Sequence, residues 1–437
     1  MRDKVDRPAL AGHGIRTESD MKSSLEVRKL WVLLMAAFVD MMGYAMVFPL
    51  LPFYAVRFGG SAQVIGWMVA SFSIAQVAAA PLWGRFSDKW GRRPGLLIGL
   101  AGSAVAFLIF GFANSLWLLF VSRIAQGASG GTTGIMQAYV GDSVPPEDRA
   151  KALGWLSAAT SGGVMIGPAI GSLSNSRLGP EAPGVIAAGL CMINLIFAWR
   201  WLPESRPQNW APSTPSTEEV EVGTLTETVD PDAAQQRTRK SVSAMVWETL
   251  RYPRKETSEL IWIYSVAMMA FSALTAVLGL FLMERFQMTE ANIGYIFLYL
   301  GAISVFMRAG VLGRVVRAFG EVRVMRLGAI LLAIGLIAYP LPGRFSGLLL
   351  VMALVPIGTA LLFPSTTGLL SRRGGRDQLG QLMGVQQGFG SVSRIVGPLW
   401  AGALFQHVSP NAPFYAAGAV VAFAAVLAGR LRPEPRG

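Results

Sequence analysis

The chain has 437 residues, of which 52% are hydrophobic and 15% charged, with a mean hydropathy of +0.46. A soluble protein of this size needs far more charge to cover its surface, so a soluble globular domain is excluded. The formal net charge of +12 would point to nucleic acid in a soluble chain, but here the bases lie between apolar runs, where they meet anionic headgroups and set membrane orientation.

Residues 1–28 are polar and charged and contain no apolar core of the signal-peptide kind, so they are expected to be a cytoplasmic tail and the first span to stay in the mature chain. From Lys29 onward, apolar runs of the length needed to cross a bilayer recur twelve times, centred near Ala37, Ser73, Val105, Gly130, Gly163, Met192, Ser272, Ser304, Ala333, Thr359, Ser391 and Val421. Short connections make consecutive helices antiparallel. The division is a tail (1–28), a six-helix bundle (29–203), a linker (204–257), a second six-helix bundle (258–432) and a short tail (433–437). Within the linker, the Pro-, Ser-, Thr- and Glu-rich stretch from Glu204 to Gln236 cannot bury enough surface to fold. Val242, Met245, Val246, Trp247 and Leu250 then recur at helical spacing beside Arg251, Arg254 and Lys255, as in an amphipathic helix lying on the inner leaflet.

Orientation follows from the bases. Clusters at Arg85/Lys89/Arg92/Arg93, Arg149/Lys151, Arg314/Arg317/Arg323/Arg326 and Arg372/Arg373/Arg376 fall on the side of the N-terminus, against single arginines (57, 177, 285 and 344) on the other. Both termini and the linker are therefore expected in the cytoplasm.

The two halves repeat each other. Arg57-Phe58 with Ile65-Gly66-Trp67 returns as Arg285-Phe286 with Ile293-Gly294-Tyr295, offset by 228. Gly84-Arg85 and Gly91 return as Gly313-Arg314 and Gly320, offset by 229, and Gly167-Pro168 returns as Gly397-Pro398, offset by 230. Near-identical offsets at matching positions argue for duplicated bundles with a site between them at mid-membrane depth.

Between the second and third runs stands Gly84-Arg-Phe-Ser-Asp88-Lys-Trp-Gly91-Arg92-Arg93, read as a tight surface turn with two glycines. Its pattern resembles the loop between spans two and three of the major facilitator superfamily of transporters. The resemblance covers Lys29 to Leu431. It implies an all-α integral membrane fold of twelve transmembrane helices in two pseudo-symmetric six-helix bundles. It also implies that Asp88 faces a helix N-terminus in the opposite half, and that Arg92 pairs with Asp142 to latch one conformational state. In the second copy Arg317 replaces the acid, so the latch is asymmetric.

Asp40 lies about ten residues into the first run, roughly 15 Å deep. An intramembrane acid is a functional hypothesis by default. Burial opposes its charge and a nearby arginine would favour it, a balance suited to loading and releasing a proton. Asp40-Met-Met-Gly43 followed by Pro49-Leu-Leu-Pro52 resembles the first span of twelve-helix drug–proton antiporters. Arg123-Ile-Ala-Gln126-Gly127 resembles the R-x-x-Q-G motif of the same superfamily, whose arginine is assigned to proton coupling; here it is expected to reach Asp40 or an acidic substrate group. Gly163, Gly167 and Gly171 form a small-residue groove along one helix face, with Pro168 removing one helical hydrogen bond. As G-x-x-x-G-P-x-x-G in the fifth span, this resembles the antiporter motif of exporters.

In the second half, Arg394 is expected near mid-membrane and Arg308 near the inner surface, where it could snorkel. Arg394, Gln126, Gln387 and Thr359 are candidate cavity residues, with Gln386, Ser365, Thr366 and Thr367 as further polar groups and Phe72, Phe271, Phe363 and Phe389 as candidate walls. One cysteine, Cys191, and two histidines, His13 and His407, leave no disulfide framework and no metal or serine–histidine site. No lysine-bearing phosphate loop is present, so no cofactor is expected.

The expected function is export of small amphipathic molecules of the drug or antibiotic type by proton-coupled antiport, with Asp40 as carrier and Arg123 as modulator. Mid-membrane arginines outnumber the one deep acid, so an exporter of an endogenous organic anion using Arg394 is the alternative. A non-transporting scaffold disagrees with the intact Asp40, Asp88, Arg92 and Asp142. The expected partners are a small molecule, protons and the lipid bilayer. No nucleic acid and no enzymatic activity are expected, and the chain is expected to be a monomer of a plasma or bacterial inner membrane.

Overall fold

A computed structural model describes residues 18–145, 148–205, 242–374, 379–429 and 431. The flexible-linker reading from 206 to 236, the tail residues 1–17 and 433–437, and Arg376 lie outside the described residues.

The described chain is all helical. In the first half, α1 (Glu18–Val47) passes through a 3-10 turn at Phe48–Leu50, set by Pro49, into α2 (Leu51–Arg57). Then come α3 (Ala62–Trp90), α4 (Arg92–Gly111), α5 (Leu116–Ser129), α6 (Thr132–Ser143), α7 (Arg149–Leu178) and α8 (Ala182–Trp201). A short helix, α9 (Val242–Arg251), precedes the second half. That half holds α10 (Glu256–Phe286), α11 (Glu290–Phe306), a π-helical turn at Met307–Val311, α12 (Leu312–Phe319), α13 (Glu321–Ala338), α14 (Phe345–Arg373), α15 (Leu379–His407) and α16 (Ala412–Ala428). Among the described residues, eight helical segments are long and apolar enough to cross a membrane. Every centre predicted from the sequence falls inside a helix except Gly130, which sits at a break between α5 and α6.

Two of the expected boundaries change. Helix α1 already starts at Glu18, inside the stretch read as tail, because Ser23 to Arg28 offers no breaker. The surface turn between spans two and three shrinks to one residue. Gly84 is helical, and only Gly91, at φ 102°, separates α3 from α4. A residue with a Cβ is strained at that angle, so glycine is needed there.

Packing follows the repeat. α1 lies against α7 and α8, and α4 against α5 and α8; α10 lies against α15 and α16, and α13 against α14 and α16. Between the halves, α3 meets α15 and α7 meets α11. The contacts obey the same pseudo-symmetry. A Cβ on Gly66 would stand 2.4 Å from the Pro398 carbonyl, and one on Gly294 would stand 2.2 Å from the Pro168 carbonyl. Each half thus presents the Ile-Gly of its second helical column to the Gly-Pro of the other half's fifth. Apolar helices gain little from burial in lipid, so such close backbone approach is what holds them together.

Helix α9 docks on the second half by burying Met245 beside Leu260 and Ile261, and Trp262 donates to the Thr249 carbonyl at 3.1 Å. Trp247 and Leu250 face outward, as expected of an amphipathic surface helix.

Candidate functional site: a cavity between the halves

A cavity of about 540 Å³ lies between the two halves. Its wall includes Met41, Tyr44, Phe48, Phe72, Met165, Met268, Phe271, Phe297 and Phe363, together with Arg123, Arg308, Arg394 and Thr359. Of the expected cavity residues, Arg394 and Thr359 take their places. Gln126 and Gln387 are not in the wall, for two local reasons. Gln126 is turned inside its half to accept from Arg123, and Gln387 sits at an exposed position of α15. Phe72, Phe271 and Phe363 line the space, whereas Phe389 is drawn into an edge-to-face pair with Trp262 at 5.4 Å. Gln386 is fully buried and accepts from Thr367 at 3.2 Å.

Asp40 is 5% exposed and stands behind the cavity wall rather than in it. Its partner is Thr132, whose hydroxyl donates to Oδ2 at 2.8 Å. The expected reach of Arg123 toward Asp40 does not occur: the two form no ion pair among the described residues. The break at Gly130–Gly131 makes Thr132 the first residue of α6, and that restart brings its hydroxyl to the acid. Gly131 is needed at the break, because a Cβ there would lie 2.3 Å from the Trp83 ring. That indole in turn donates to the Ala128 carbonyl at 2.6 Å, tying α3 to the end of α5.

Arg123 is 1% exposed. It donates to Gln126, and its guanidinium lies 4.5 Å from the centre of the Phe72 ring and 5.8 Å from that of Tyr44. Aromatic faces stabilise a desolvated cation by about 2 kcal/mol, which offsets part of the cost of burying this charge in the first half without a carboxylate. Its Nε and Nη2 have no hydrogen-bond partner among the described residues. Arg308 lies in the cavity wall on the π-helical turn at Met307–Val311, and its side chain is exposed there. Single π turns of this kind are frequent at functional sites. Arg394 donates to the Ser391 hydroxyl one turn back at 2.9 Å.

The Gly163, Gly167 and Gly171 groove holds α1. A Cβ on each would meet the carbonyls of Phe38, Met42 and Met46 at 2.3, 2.5 and 2.2 Å, one turn apart along the helix that carries Asp40.

The polar links seen between the halves gather at the end away from the N-terminus. Glu290 of α11 accepts from Arg57 at 2.7 Å and from Asn175 at 2.6 Å, and the Tyr54 hydroxyl donates to Asn175 Oδ1 at 2.9 Å. On the other flank, His407 approaches Gln63 to 3.2 Å. Ser172 accepts from the Gly294 amide at 2.9 Å nearer the centre. At the N-terminal end, Arg92 bridges Asp88 at 2.7 Å and Asp142 at 2.8 Å, the second being the pair expected from the sequence. Asp88 is not seen against a helix of the opposite half: its partner is Arg92, one turn away, and 58% of its side chain is exposed. Arg93 donates to the Trp199 carbonyl, fastening α4 to α8.

Thr132, Glu290, Asn175 and Tyr54 were not singled out by sequence. The signal for Thr132 was the Gly-Gly-Thr-Thr interruption of an apolar run, and for Glu290 a Thr-Glu helix start beside the second span of the repeat. Neither signal names a partner.

A sequence model described as Major Facilitator Superfamily matches residues 33–318 and 309–437. The class B tetracycline resistance protein of Escherichia coli is 26% identical over 384 residues, covering 87% of this chain and 89% of that protein. Multidrug resistance protein 1 of Bacillus subtilis (strain 168) is 28% identical over 402 residues, covering 91% and 95%. Among solved structures, the human organic anion transporter MFSD10 (TETRAN) has a TM-score of 0.66 at 24% identity, covering 92% of this chain and 99% of that one. A bacterial homologue of the human lysosomal transporter Spinster, inward-facing and unoccupied, has a TM-score of 0.72 at 13% identity, covering 92% and 96%.

Proposed function

The chain belongs to the Major Facilitator Superfamily of membrane transporters, and from that premise we propose that it exports small amphipathic molecules in exchange for protons by alternating access. The observation that carries this reading is the pairing of an apolar cavity between two repeated halves with a buried acid, Asp40, directly behind its wall. Substrate occupies the cavity; the proton occupies Asp40. The relatives named for tetracycline and multidrug resistance support the direction and the class of cargo.

With both termini in the cytoplasm, the Arg57–Glu290–Asn175 links close the outer end and the state is inward-facing. No residue of α12, at the inner end of the second half, is buried, as expected where the halves have parted. In this reading the Asp88–Arg92–Asp142 cluster is an inner latch at rest, and Asp88 engages the opposite half once the inner end closes. The Gly163–Gly171 groove fixes α1 to α7, so a change at Asp40 passes to α7 and on to α11 across the interface. The Thr132 hydroxyl can donate to the carboxylate or accept from the acid, which gives Asp40 a partner in both protonation states.

The test is transport in proteoliposomes under an imposed pH gradient. The parent concentrates a cavity-sized amphiphile only when the gradient is present. Asp40→Asn abolishes that concentrative uptake while exchange between equal pools persists. Undiminished gradient-driven uptake by Asp40→Asn would remove Asp40 as the carrier.

A further inference from the structure

We propose that the cavity takes an amphipathic organic anion: an apolar, preferably aromatic body bearing a sulfonate, phosphate or carboxylate. The proposal rests on the export reading above and adds the sign of the cargo's charge.

Three arginines stand in the cavity wall, and no aspartate or glutamate does. Asp40 is excluded from it and already occupied by Thr132. Arg308 and Arg394 form no ion pair among the described residues; Arg394 spends one donor on Ser391. Arg123, 1% exposed, adds a buried positive charge to the wall, and two of its guanidinium nitrogens have no hydrogen-bond partner among the described residues. Arg308 and Arg394 are the accessible ones, and their forked guanidinium groups match the oxygens of a carboxylate, sulfonate or phosphate, which can accept two parallel bonds. The rest of the wall is aromatic and thioether, fitted to a flat apolar body. A cation placed in the same space would meet three like charges with no carboxylate in the wall to offset them. An anion relieves their mutual repulsion.

The arginines are divided between the halves. Arg123 comes from the first, Arg308 and Arg394 from the second. An anion held by both draws the halves together around itself, so occupancy and closure become one event. The charge movement is also fixed. Exchanging one monoanion outward for one proton inward carries two positive charges inward, whereas exchanging a monocation for a proton carries none.

Three matched probes test this in inside-out proteoliposomes of the full chain with an acidic lumen: naphthalene-2-sulfonate, naphthalene-2-sulfonamide and (2-naphthyl)trimethylammonium. The sulfonate is expected to accumulate, and to do so faster when potassium and valinomycin clamp the potential. Arg308→Gln and Arg394→Gln should each raise its KM about tenfold, the effect of losing one charged hydrogen bond. Arg394→Lys, which keeps the charge and the bulk but loses the fork, should fall between. Uptake of the trimethylammonium in place of the sulfonate, or a sulfonate KM unmoved by both glutamine variants, overturns the anion assignment and leaves export standing. If none of the three probes moves with the gradient, the export reading itself fails and the inference goes with it.

Discussion

Thr132 donates a 2.8 Å hydrogen bond to Asp40 from the first residue of the helix that restarts the fourth span. The partner of the one deep acid is therefore a hydroxyl at a helix break, not Arg123, nine residues earlier on the preceding helix. A hydrogen bond to a charged group contributes about 1.5–3 kcal/mol. Thr132→Val, nearly isosteric, is expected to slow gradient-driven transport at least several-fold and to move its pH profile. Thr359→Val, equally buried in the cavity wall, should leave that profile in place. Superimposable profiles for parent and Thr132→Val would show that this contact does not tune the carrier.

The groove that seats α1 on α7 predicts a position-dependent cost for added methyl groups. Gly163→Ala and Gly171→Ala each place a Cβ within 2.3 Å of a backbone carbonyl of α1. Overpacking of this kind costs about 1–3 kcal/mol. Both variants should lower the thermal transition of the detergent-solubilised protein. Gly134→Ala and Gly189→Ala, where the added carbon meets nothing within 4 Å, are the controls and should not.

Closure of the end away from the N-terminus depends on Glu290, which holds two residues of the other half at once. Each such surface link contributes at most about 1 kcal/mol, so its loss changes a population rather than the fold. The chain's one cysteine, Cys191, is buried, and Cys191→Ser supplies a background for labelling. Thr275→Cys, in the cavity wall, should react slowly with an impermeant thiol reagent added outside, and several-fold faster once Glu290→Gln is added. Equal rates would place the closing contact elsewhere.

Arg92 neutralises two acids with one side chain that is 13% exposed. Arg92→Gln leaves Asp88 and Asp142 as close like charges. Because neither touches the cavity, the expected result is a fall in maximal rate of about tenfold or more with KM unchanged. A raised KM at an unchanged rate would place the cluster in substrate binding instead.

How much of this could be read from the chain differs by residue. The helical columns were legible because a bilayer leaves a backbone one economical solution, and runs of apolar residues record it directly. The duplication was legible as three matching offsets, and the structure gives it meaning by setting Gly66 on Pro398 and Gly294 on Pro168. The Arg92–Asp142 pair was reached through a motif, and the Gly163–Gly171 groove through helical spacing. Both are features of local pattern.

What failed were several statements about which side chain meets which across helices. Arg123 was expected to reach Asp40 or an acidic substrate group and does not pair with Asp40, and Gln126 and Gln387 were expected to face the cavity and do not line it. Rotation about a helix axis decides such meetings, and it is set by neighbours remote in sequence. A π turn at Met307–Val311 and a break at Gly130–Gly131 each re-aim a face without altering the apolar pattern. The sequence by itself determined a two-part helical membrane protein with one deep acid and surplus arginines. Only the tertiary structure decided that the arginines share a cavity the acid does not enter, because that depends on helix register, which hydropathy does not encode.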